Sequence, residues 1–226
     1  EDSIGSVFSL PVFADHNSNC FAAGEANIGS ARHYQNMVDI LIRTGISMGI
    51  ARNREIFSMS EISAGELGHI TVNPKGGKCW CGSKGCLETA VSGWAFNKKL
   101  KKAMRQGIID KLYTSEEFAG LAASGNQFAV EILGDMFDHL GIAVANVISL
   151  MRPEAVVING CFNAADKLML ARINEIISKK VHNDISTTEI IVSQYDDSIG
   201  ACGAALMAIS RLYNPFYHLE ATGQQV

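Results

Sequence analysis

The stretch GELGHITVNPKGGKCWCGSKGCLE, residues 65–88, concentrates the side chains that can hold a metal ion. It contains one histidine and three cysteines, with glycines at positions 76, 77, 82 and 85 that let the backbone curl tightly round an ion. Zinc prefers four nitrogen or sulfur ligands in a tetrahedron. The stretch therefore predicts one zinc ion held by His69, Cys79, Cys81 and Cys86.

The predicted zinc is structural, because four protein ligands leave no position for a catalytic water and disfavour Lewis-acid chemistry. The spacing C-x-C-x₄-C, with the histidine ten residues upstream of Cys79, differs from the paired C-x₂-C of common zinc fingers. A set of buried thiols is the alternative interpretation. Lys78, Lys84 and the glycine-rich flanks argue against it, because they make burial of all three cysteines unfavourable.

Composition and charge limit the class of protein to which this sequence can belong. The 226 residues are 47% hydrophobic and 19% charged, enough to bury a core as one or two globular units. A net charge of −4 excludes the broad basic face that strong DNA binding needs. No run approaches about 18 apolar residues, and the start EDSIGS lacks the basic region of a secretory signal, so a cytoplasmic protein with no membrane partner is expected. In that reducing compartment the scattered Cys20, Cys161 and Cys202 are not expected to form disulfides.

Patterns on both sides of the cysteine stretch predict an α/β protein. Residues 10–15 (LPVFAD) predict a strand that turns at 15–19 into a helix beginning near Asn19, and residues 37–57 predict a β-meander with turns at Gly45 and Gly49. Further strands are predicted over 154–160 and 189–194, and helices over 92–107, 114–125, 126–151, 166–181 and 198–213. The βαβα ending implies parallel strands covered by helices. Because the helix at 126–151 is apolar nearly all round, we expect it to be buried and to pack against a partner subunit, in a homodimer or a tetramer.

The sequence G-E-L-G-H followed by C-x-C-G-x-x-G-C-L-E resembles the signature of the ROK family, which comprises sugar kinases and sugar-responsive transcriptional repressors. Residues 11–25, 42–50, 152–160 and 200–208 resemble other segments of the family, so the likeness spans essentially the whole chain. It implies an α/β fold of the actin and hexokinase-like ATPases, built from RNase-H-like lobes. Residues 1–33 would end the first lobe, and residues 34–226 would form the second lobe with zinc loop 69–86 and dimerisation helices. The Asp-x-Gly-x-Thr phosphate hairpin that opens the first lobe is not in this sequence.

The resemblance also implies which residues bind sugar. By motif position Glu66, His69 and Glu88 would contact sugar hydroxyls, and His16 and Asn17 stand where the family has a sugar-binding asparagine and the catalytic aspartate. This assignment is chemically sound, because a carboxylate accepts hydrogen bonds from vicinal hydroxyls and a zinc-bound imidazole keeps its second nitrogen as a donor. The alternative is that Glu66 and Glu88 are surface charges of a loop.

Asn17 removes the catalytic base that the family's kinases use. Phosphorylation needs a carboxylate beside the attacking hydroxyl, whereas an amide can hydrogen-bond the hydroxyl but cannot take its proton. Asp15 is a poor substitute, since an offset of two residues in an extended segment moves a side chain by about 7 Å. We therefore predict that no residue of this chain acts as a catalytic base.

Two further departures affect the nucleotide side. In the glycine-rich turn TGISMG (44–49), Met48 replaces a family glycine and is expected to intrude on the phosphates. Asn159-Gly160 replaces a family Gly-Gly, a milder change because asparagine tolerates a left-handed backbone. ATP and Mg²⁺ are therefore not expected as cofactors.

Three functions follow from these features. The first is the sugar-sensing and dimerisation part of a ROK-type transcriptional regulator, which would reach DNA only through a helix-turn-helix that this sequence does not contain. The second is a sugar kinase with an unusual base, recognisable by ATP turnover with hexoses or N-acetylhexosamines. The third is a zinc-stabilised interaction module, which would show no sugar-induced thermal shift. The sequence does not identify the sugar.

Overall fold

A computed structural model describes residues 2–57, 65–181 and 187–213. Its strands are β1 Asn36–Ile42, β2 Ile46–Arg52, β3 Glu55–Ile56, β4 Ala155–Gly160 and β5 Glu189–Val192. Its α-helices are α1 Asp2–Phe8, α2 Asn17–Asn27, α3 Glu88–Val91, α4 Gly93–Arg105, α5 Ser115–Ala123, α6 Gln127–Met151, α7 Asp166–Lys180 and α8 Ser198–Tyr213. Parts of the predicted 34–226 unit, at 58–64, 182–186 and 214–226, lie outside the described residues.

The five strands form one mixed sheet in the order β3-β2-β1-β4-β5. Strands β1, β2 and β3 are antiparallel neighbours, which confirms the predicted meander, and β1, β4 and β5 run parallel, as the βαβα pattern predicts. The turn at Gly45 is confirmed, but the one expected at Gly49 is wrong. Gly49 lies inside β2, because its missing side chain lets the carbonyl of Ser18 in α2 approach the strand.

Helices cover both faces of the sheet. Val38 and Ile40 of β1 belong to the main hydrophobic cluster, which also contains the inner faces of α4, α5, α6 and α7. The alternating residue Met37 packs on the opposite face, against Ala22 and Ala26 of α2. Because residues of a strand alternate between faces, the apolar residues of β1 and β4 pack into separate hydrophobic clusters on the two faces of the sheet.

Helix α6 is buried as predicted, with most of its inner residues fully excluded from solvent. Helices α5 and α7 of the same chain pack along it, so its apolar character is explained within the chain. Association with a second chain through residues 126–151 therefore stays a prediction. No helix among the described residues is both long and apolar enough to span a bilayer.

The chain before α2 differs from the sequence-based expectation. Residues 11–16 form no strand, so the strand predicted at 10–15 is wrong, and α1 was not predicted. A strand needs a neighbour for its backbone hydrogen bonds, and within the described sheet β3 and β5 are the edges, neither paired with residues 10–15. Leu10 is 65% exposed as a result. The predicted helix near Asn19 begins two residues earlier, at Asn17.

Helices α2 and α8 pack at unusually short range through small residues. A Cβ placed on Gly203 of α8 would lie 1.8 Å from the carbonyl oxygen of Cys20 and 2.6 Å from the backbone nitrogen of Gly24, both in α2. Gly24 in turn approaches the carbonyl of Ile199. The small-residue pattern of 198–213 thus sets the distance between these two helices and the position of the start of α2.

Replacing Gly203 with alanine should separate α2 from α8 and destabilise the protein by about 1–3 kcal/mol, the usual range for overpacking a close contact. Gly120→Ala in α5 is the matched control. No atom lies within 4 Å of a Cβ added there, so that change should be neutral or stabilise by about 1 kcal/mol through helix propensity. Urea unfolding of both variants measures the difference, and equal stabilities would contradict the close packing.

Candidate functional site

The cysteine stretch folds as a compact loop held by its own backbone. Short antiparallel bridges join Thr71 to Cys86 and Lys78 to Lys84. Gly85 has φ +71°, and a Cβ there would lie 1.7 Å from the carbonyl oxygen of Asn73, so only glycine fits this crossing of two backbone segments. These backbone contacts bring the two sides of the loop together around the histidine and the cysteines.

The loop brings its histidine and its three cysteines to one point. The ligand atoms of His69, Cys79, Cys81 and Cys86 all lie within 4.8 Å of one another. Cys79 Sγ is 3.7 Å from His69 Nδ1, and Cys81 Sγ is 3.7 Å from Cys86 Sγ. Sulfur atoms round a tetrahedral zinc with bonds of about 2.3 Å are separated by about 3.8 Å. The donor set and its spacing fit a zinc ion, so this cluster could bind a metal.

The thiols differ in acidity. Burial and the neighbouring thiols raise the pKa of Cys86 to about 11, whereas backbone hydrogen bonding from Ser83 lowers the pKa of Cys81. Without a cation, Cys86 therefore remains a thiol at neutral pH. A bound divalent cation would supply the positive charge that holds all three sulfur atoms as thiolates.

Glu66, His69 and Glu88 adjoin this cluster. His69 turns Nδ1 toward the cysteines, and its other nitrogen, Nε2, lies 3.8 Å from Glu66 Oε2. Glu88, at the start of α3, is 9% exposed, and its carboxylate accepts a hydrogen bond from the backbone of Ile46 at 3.3 Å and another from the indole of Trp80. The structure thus places the three predicted sugar ligands side by side.

Strand β2 supports both parts of the predicted sugar site. Met48 N donates to Gly65 O at 2.9 Å, which anchors the segment that carries Glu66 and His69. The next residue of the strand, Gly49, packs closely against the carbonyl oxygen of Ser18 at the start of α2. His16 and Asn17 immediately precede Ser18, and both are exposed.

The start of α2 contains no free carboxylate. Asn17 accepts a hydrogen bond from the backbone of Ser18 through its own amide oxygen. The carboxylate of Asp15 accepts from Asn19 Nδ2 at 2.7 Å and from the backbone of His16, and its second oxygen pairs with Arg211 at 2.6 Å. Because both oxygens of Asp15 are engaged, it is poorly placed to receive a proton from a substrate.

The expected intrusion of Met48 is not what the structure shows. Its side chain is 9% exposed and belongs to the main hydrophobic cluster. Arg43, which the sequence analysis did not single out, lies at the β1–β2 turn instead, stacked 5.4 Å from the ring centre of Phe21 and paired with Asp197. A charged residue in a glycine-rich turn was the signal that could have identified it.

Arg43 lines a cavity of 370 Å³ at the carboxyl ends of β1 and β4, where open α/β sheets usually bind ligands. Glu116, Asp196 and Asp197 also line it, and Arg43 is the single basic residue in this lining. Its charge is already offset by Asp197. The remaining carboxylates, Glu116 and Asp196, make this end of the cavity acidic.

Asn159 has a different role from the one expected. The left-handed backbone belongs to Gly160, with φ +139°, while Asn159 lies within β4 and is buried. Its amide donates to Asp39 at 2.5 Å and to Glu25 at 3.1 Å. Ser193 donates to the same Glu25 oxygen. Four buried polar residues therefore meet behind the cavity, between the sheet and α2.

Asp39 is the buried acid of this cluster whose hydrogen bonding is incomplete. It is fully buried, and its Oδ2 has no hydrogen-bond partner. Burial, reinforced by the nearby carboxylate of Glu25, raises the pKa of Asp39 well above its usual value. A folded-state pKa above the unfolded one means that the folded protein binds the extra proton, so Asp39 favours folding at low pH. This contribution declines as the pH rises from the unfolded pKa through the folded pKa.

Replacing Asp39 with asparagine should therefore stabilise the protein at pH 8, by about 1–3 kcal/mol, because the amide keeps an acceptor for Asn159 and needs no buried charge. The gain should shrink at pH 5, where the wild-type carboxyl is closer to its neutral form. Exposed Glu131→Gln is the control and should show no such pH-dependent difference. Urea unfolding at both pH values measures it, and a pH-independent effect of Asp39→Asn would contradict the assignment.

The chain belongs to the ROK family, whose family model matches residues 1–211. This agrees with the resemblance of residues 65–88. The fold is that of ROK hexokinases and regulators, an actin-like ATPase fold, as the sequence predicts.

Relatives of this chain include both kinases and repressors. It is 29% identical over 221 residues to the glucokinase of Thermotoga maritima, covering 93% of this chain and 70% of that protein. It is 26% identical over 210 residues to the xylose repressor of Bacillus subtilis, covering 92% of this chain but only 53% of the repressor. The chain thus spans about half the length of this repressor relative.

Solved structures similar to this chain likewise include both a transcriptional regulator and a kinase. A ROK family transcriptional regulator, described as a homologue of the Escherichia coli MLC protein, matches with TM-score 0.84 and 28% identity, over 92% of this chain and 54% of that one. A ROK family glucokinase from Streptomyces griseus, solved with glucose and AMPPNP, matches with TM-score 0.80 and 24% identity, over 91% and 70%. The second likeness shows the fold alone.

Proposed function

We propose that this chain is the sugar-sensing and dimerisation part of a ROK-type transcriptional regulator, with a structural zinc ion and a degenerate kinase site. The observation that carries the proposal is the start of α2, where an amide, Asn17, stands at the position of the family's base. The neighbouring carboxylate of Asp15 is held by Arg211 and Asn19. A site of this kind can bind a hydroxyl but has no group to take its proton.

Sugar would be bound by Glu66, His69 and Glu88, with hydrogen bonds from His16 and Asn17. The zinc would be held by His69, Cys79, Cys81 and Cys86, and would contribute by fixing the loop and the orientation of the imidazole. With Nδ1 on the metal, His69 Nε2–H is a donor, while Glu66 and Glu88 are acceptors. Each sugar hydroxyl can both donate and accept a hydrogen bond, so these three residues can pair with neighbouring hydroxyls of a sugar.

The relatives suggest which sugars to test. Their printed names include a xylose repressor, an N-acetylglucosamine repressor and a glucokinase. D-Xylose, N-acetyl-D-glucosamine and D-glucose are accordingly the first candidates. In a regulator, sugar would act by favouring one arrangement of the dimer, and DNA would be contacted by a helix-turn-helix outside this chain.

A ROK sugar kinase is the second candidate. It is favoured by the 29% identity to the Thermotoga maritima glucokinase, of which the chain covers 70%. The two candidates differ in one experiment on the full-length protein: binding of sugar in the absence of phosphoryl transfer supports the regulator, and transfer supports the kinase.

A further inference from the structure

We propose that Trp80 is a sugar-binding residue of this site, stacking on the apolar face of the bound sugar and holding Glu88 in position. This inference rests on the proposed function, because it adds a residue to the sugar site formed by Glu66, His69 and Glu88. Nothing in the family signature assigns a role to the residue between the first two cysteines.

The position of Trp80 is unusual for so large an apolar side chain. It is 78% exposed, yet its indole makes two specific contacts. The indole N–H donates to Glu88 Oε1, and the ring meets that of His69 edge to face, with centroids 4.9 Å apart and planes at 78°. Trp80 therefore touches two of the three predicted sugar ligands.

These contacts hold the indole ring of Trp80 in one orientation. A hydrogen bond to a charged carboxylate is stronger than one between neutral groups, and the edge-to-face contact adds to it. A tryptophan has two side-chain torsions to immobilise, so ordering it before the ligand arrives lowers the entropic cost of binding. The exposed indole offers an apolar plane that is costly to leave in water.

A sugar ring matches this surface in chemistry. One face of a pyranose presents C–H groups, and its edge presents hydroxyls. Binding sites for such ligands combine aromatic planes with a few fixed polar groups. Here Trp80 supplies the plane, and the carboxylates and the imidazole supply the polar groups.

Trp80 also leaves Glu88 able to accept from a ligand. Each carboxylate oxygen has about two acceptor sites. Glu88 Oε1 uses one for the indole, and Oε2 uses one for the backbone of Ile46. The two protein donors thus fix the carboxylate while one acceptor site on each oxygen stays available for sugar hydroxyls.

The experiment compares Trp80→Ala, Trp80→Phe and Trp94→Phe in the full-length protein, with metal content measured for each. Trp94, the other tryptophan, is the matched control, since it is 44% exposed and contacts the ammonium of Lys98 on α4. Calorimetric titration uses D-glucose, N-acetyl-D-glucosamine and D-xylose. Trp80→Ala should weaken sugar binding at least about tenfold, Trp80→Phe should weaken it less because stacking remains, and Trp94→Phe should leave it unchanged.

Fluorescence gives an independent readout, because each single variant to phenylalanine removes one of the two tryptophans in residues 1–226. The change of emission on adding sugar should persist in Trp94→Phe, which retains Trp80, and should be lost or sharply reduced in Trp80→Phe. If Trp80→Ala loses its metal, the comparison rests on Trp80→Phe and on this emission change.

The outcomes separate the two proposals. Unchanged or tighter sugar binding by metal-loaded Trp80 variants, together with loss of binding in Glu88→Gln, would overturn the role of Trp80 and leave the sugar sensor intact. No binding of any of the three sugars by the metal-loaded wild type would overturn the proposed function, and the role of Trp80 with it.

Discussion

Replacing Cys81 with alanine should abolish metal binding and disorder residues 70–90. The physical reason is that the loop is short, polar and glycine-rich, so few apolar contacts would hold it once the ion is lost. Structural zinc contributes about 10–16 kcal/mol to the folding of small zinc-finger peptides. Even a fraction of this in a larger domain should lower the midpoint of thermal unfolding by about 10 °C or more.

The effect should extend beyond the loop to the sugar site. His69 is one of the four ligand residues, and Glu88 follows Cys86 by two positions, so loss of the ion releases two of the predicted sugar contacts. Chelation of the wild-type protein should have the same consequences as Cys81→Ala. Both should lower thermal stability and weaken sugar binding together.

Cys202→Ala is the control for this prediction, because Cys202 is exposed on α8 and lies outside the cluster. It should retain one zinc ion per chain and wild-type stability. Metal analysis by mass spectrometry, paired with thermal unfolding, measures both properties. Untreated protein that contains no metal, yet keeps an ordered loop and full stability, would falsify the zinc assignment.

The sequence predicted the features that depend on local pattern. The four ligand residues lie within 18 positions, and their glycines force the backbone to fold back, so spacing alone placed them together. The meander at 37–57 and the parallel strands β4 and β5 followed from β-branched runs and βαβ order. These elements are determined by neighbours in the chain.

The features that sequence reasoning missed depend on distant neighbours. Residues 10–15 have a strand-like composition, but no partner strand of the described sheet pairs with them. Met48 lies on the face of β2 that packs into the main hydrophobic cluster, so its side chain enters the core. The cavity is lined by Arg43, which the sequence analysis did not identify. The sequence alone assigns no role to Asp39, whose neighbours Asn159 and Glu25 come from other elements of the fold.

The second large effect is expected in catalysis: the full-length protein should bind sugar but transfer no phosphoryl group to it. Asn17 cannot accept a proton, and Asp15 is engaged by Arg211 and Asn19. A general base contributes typically about 10²–10⁴-fold to such a reaction. Its loss, combined with an acidic lining on the nucleotide side, should reduce transfer to background.

Asn17→Asp restores a carboxylate at the family's position and should raise any residual transfer. The gain should stay below about 10⁴-fold, because a general base contributes no more than this and the cavity at the ends of β1 and β4 keeps its acidic lining. Met48→Gly, which would relieve a phosphate clash if one existed, should instead destabilise the core. Glu88→Gln should weaken sugar binding in either background.

The proposal of a sugar sensor without kinase activity is tested most directly by a paired measurement on the unmodified full-length protein: sugar binding by calorimetry, and sugar-dependent release of ADP from ATP and Mg²⁺. D-Glucose, N-acetyl-D-glucosamine and D-xylose are each tested. We expect saturable binding of at least one sugar, with ADP release no faster than in its absence. Robust sugar-dependent ADP release would contradict it and would establish the kinase, with Asp15→Asn the next variant to assay.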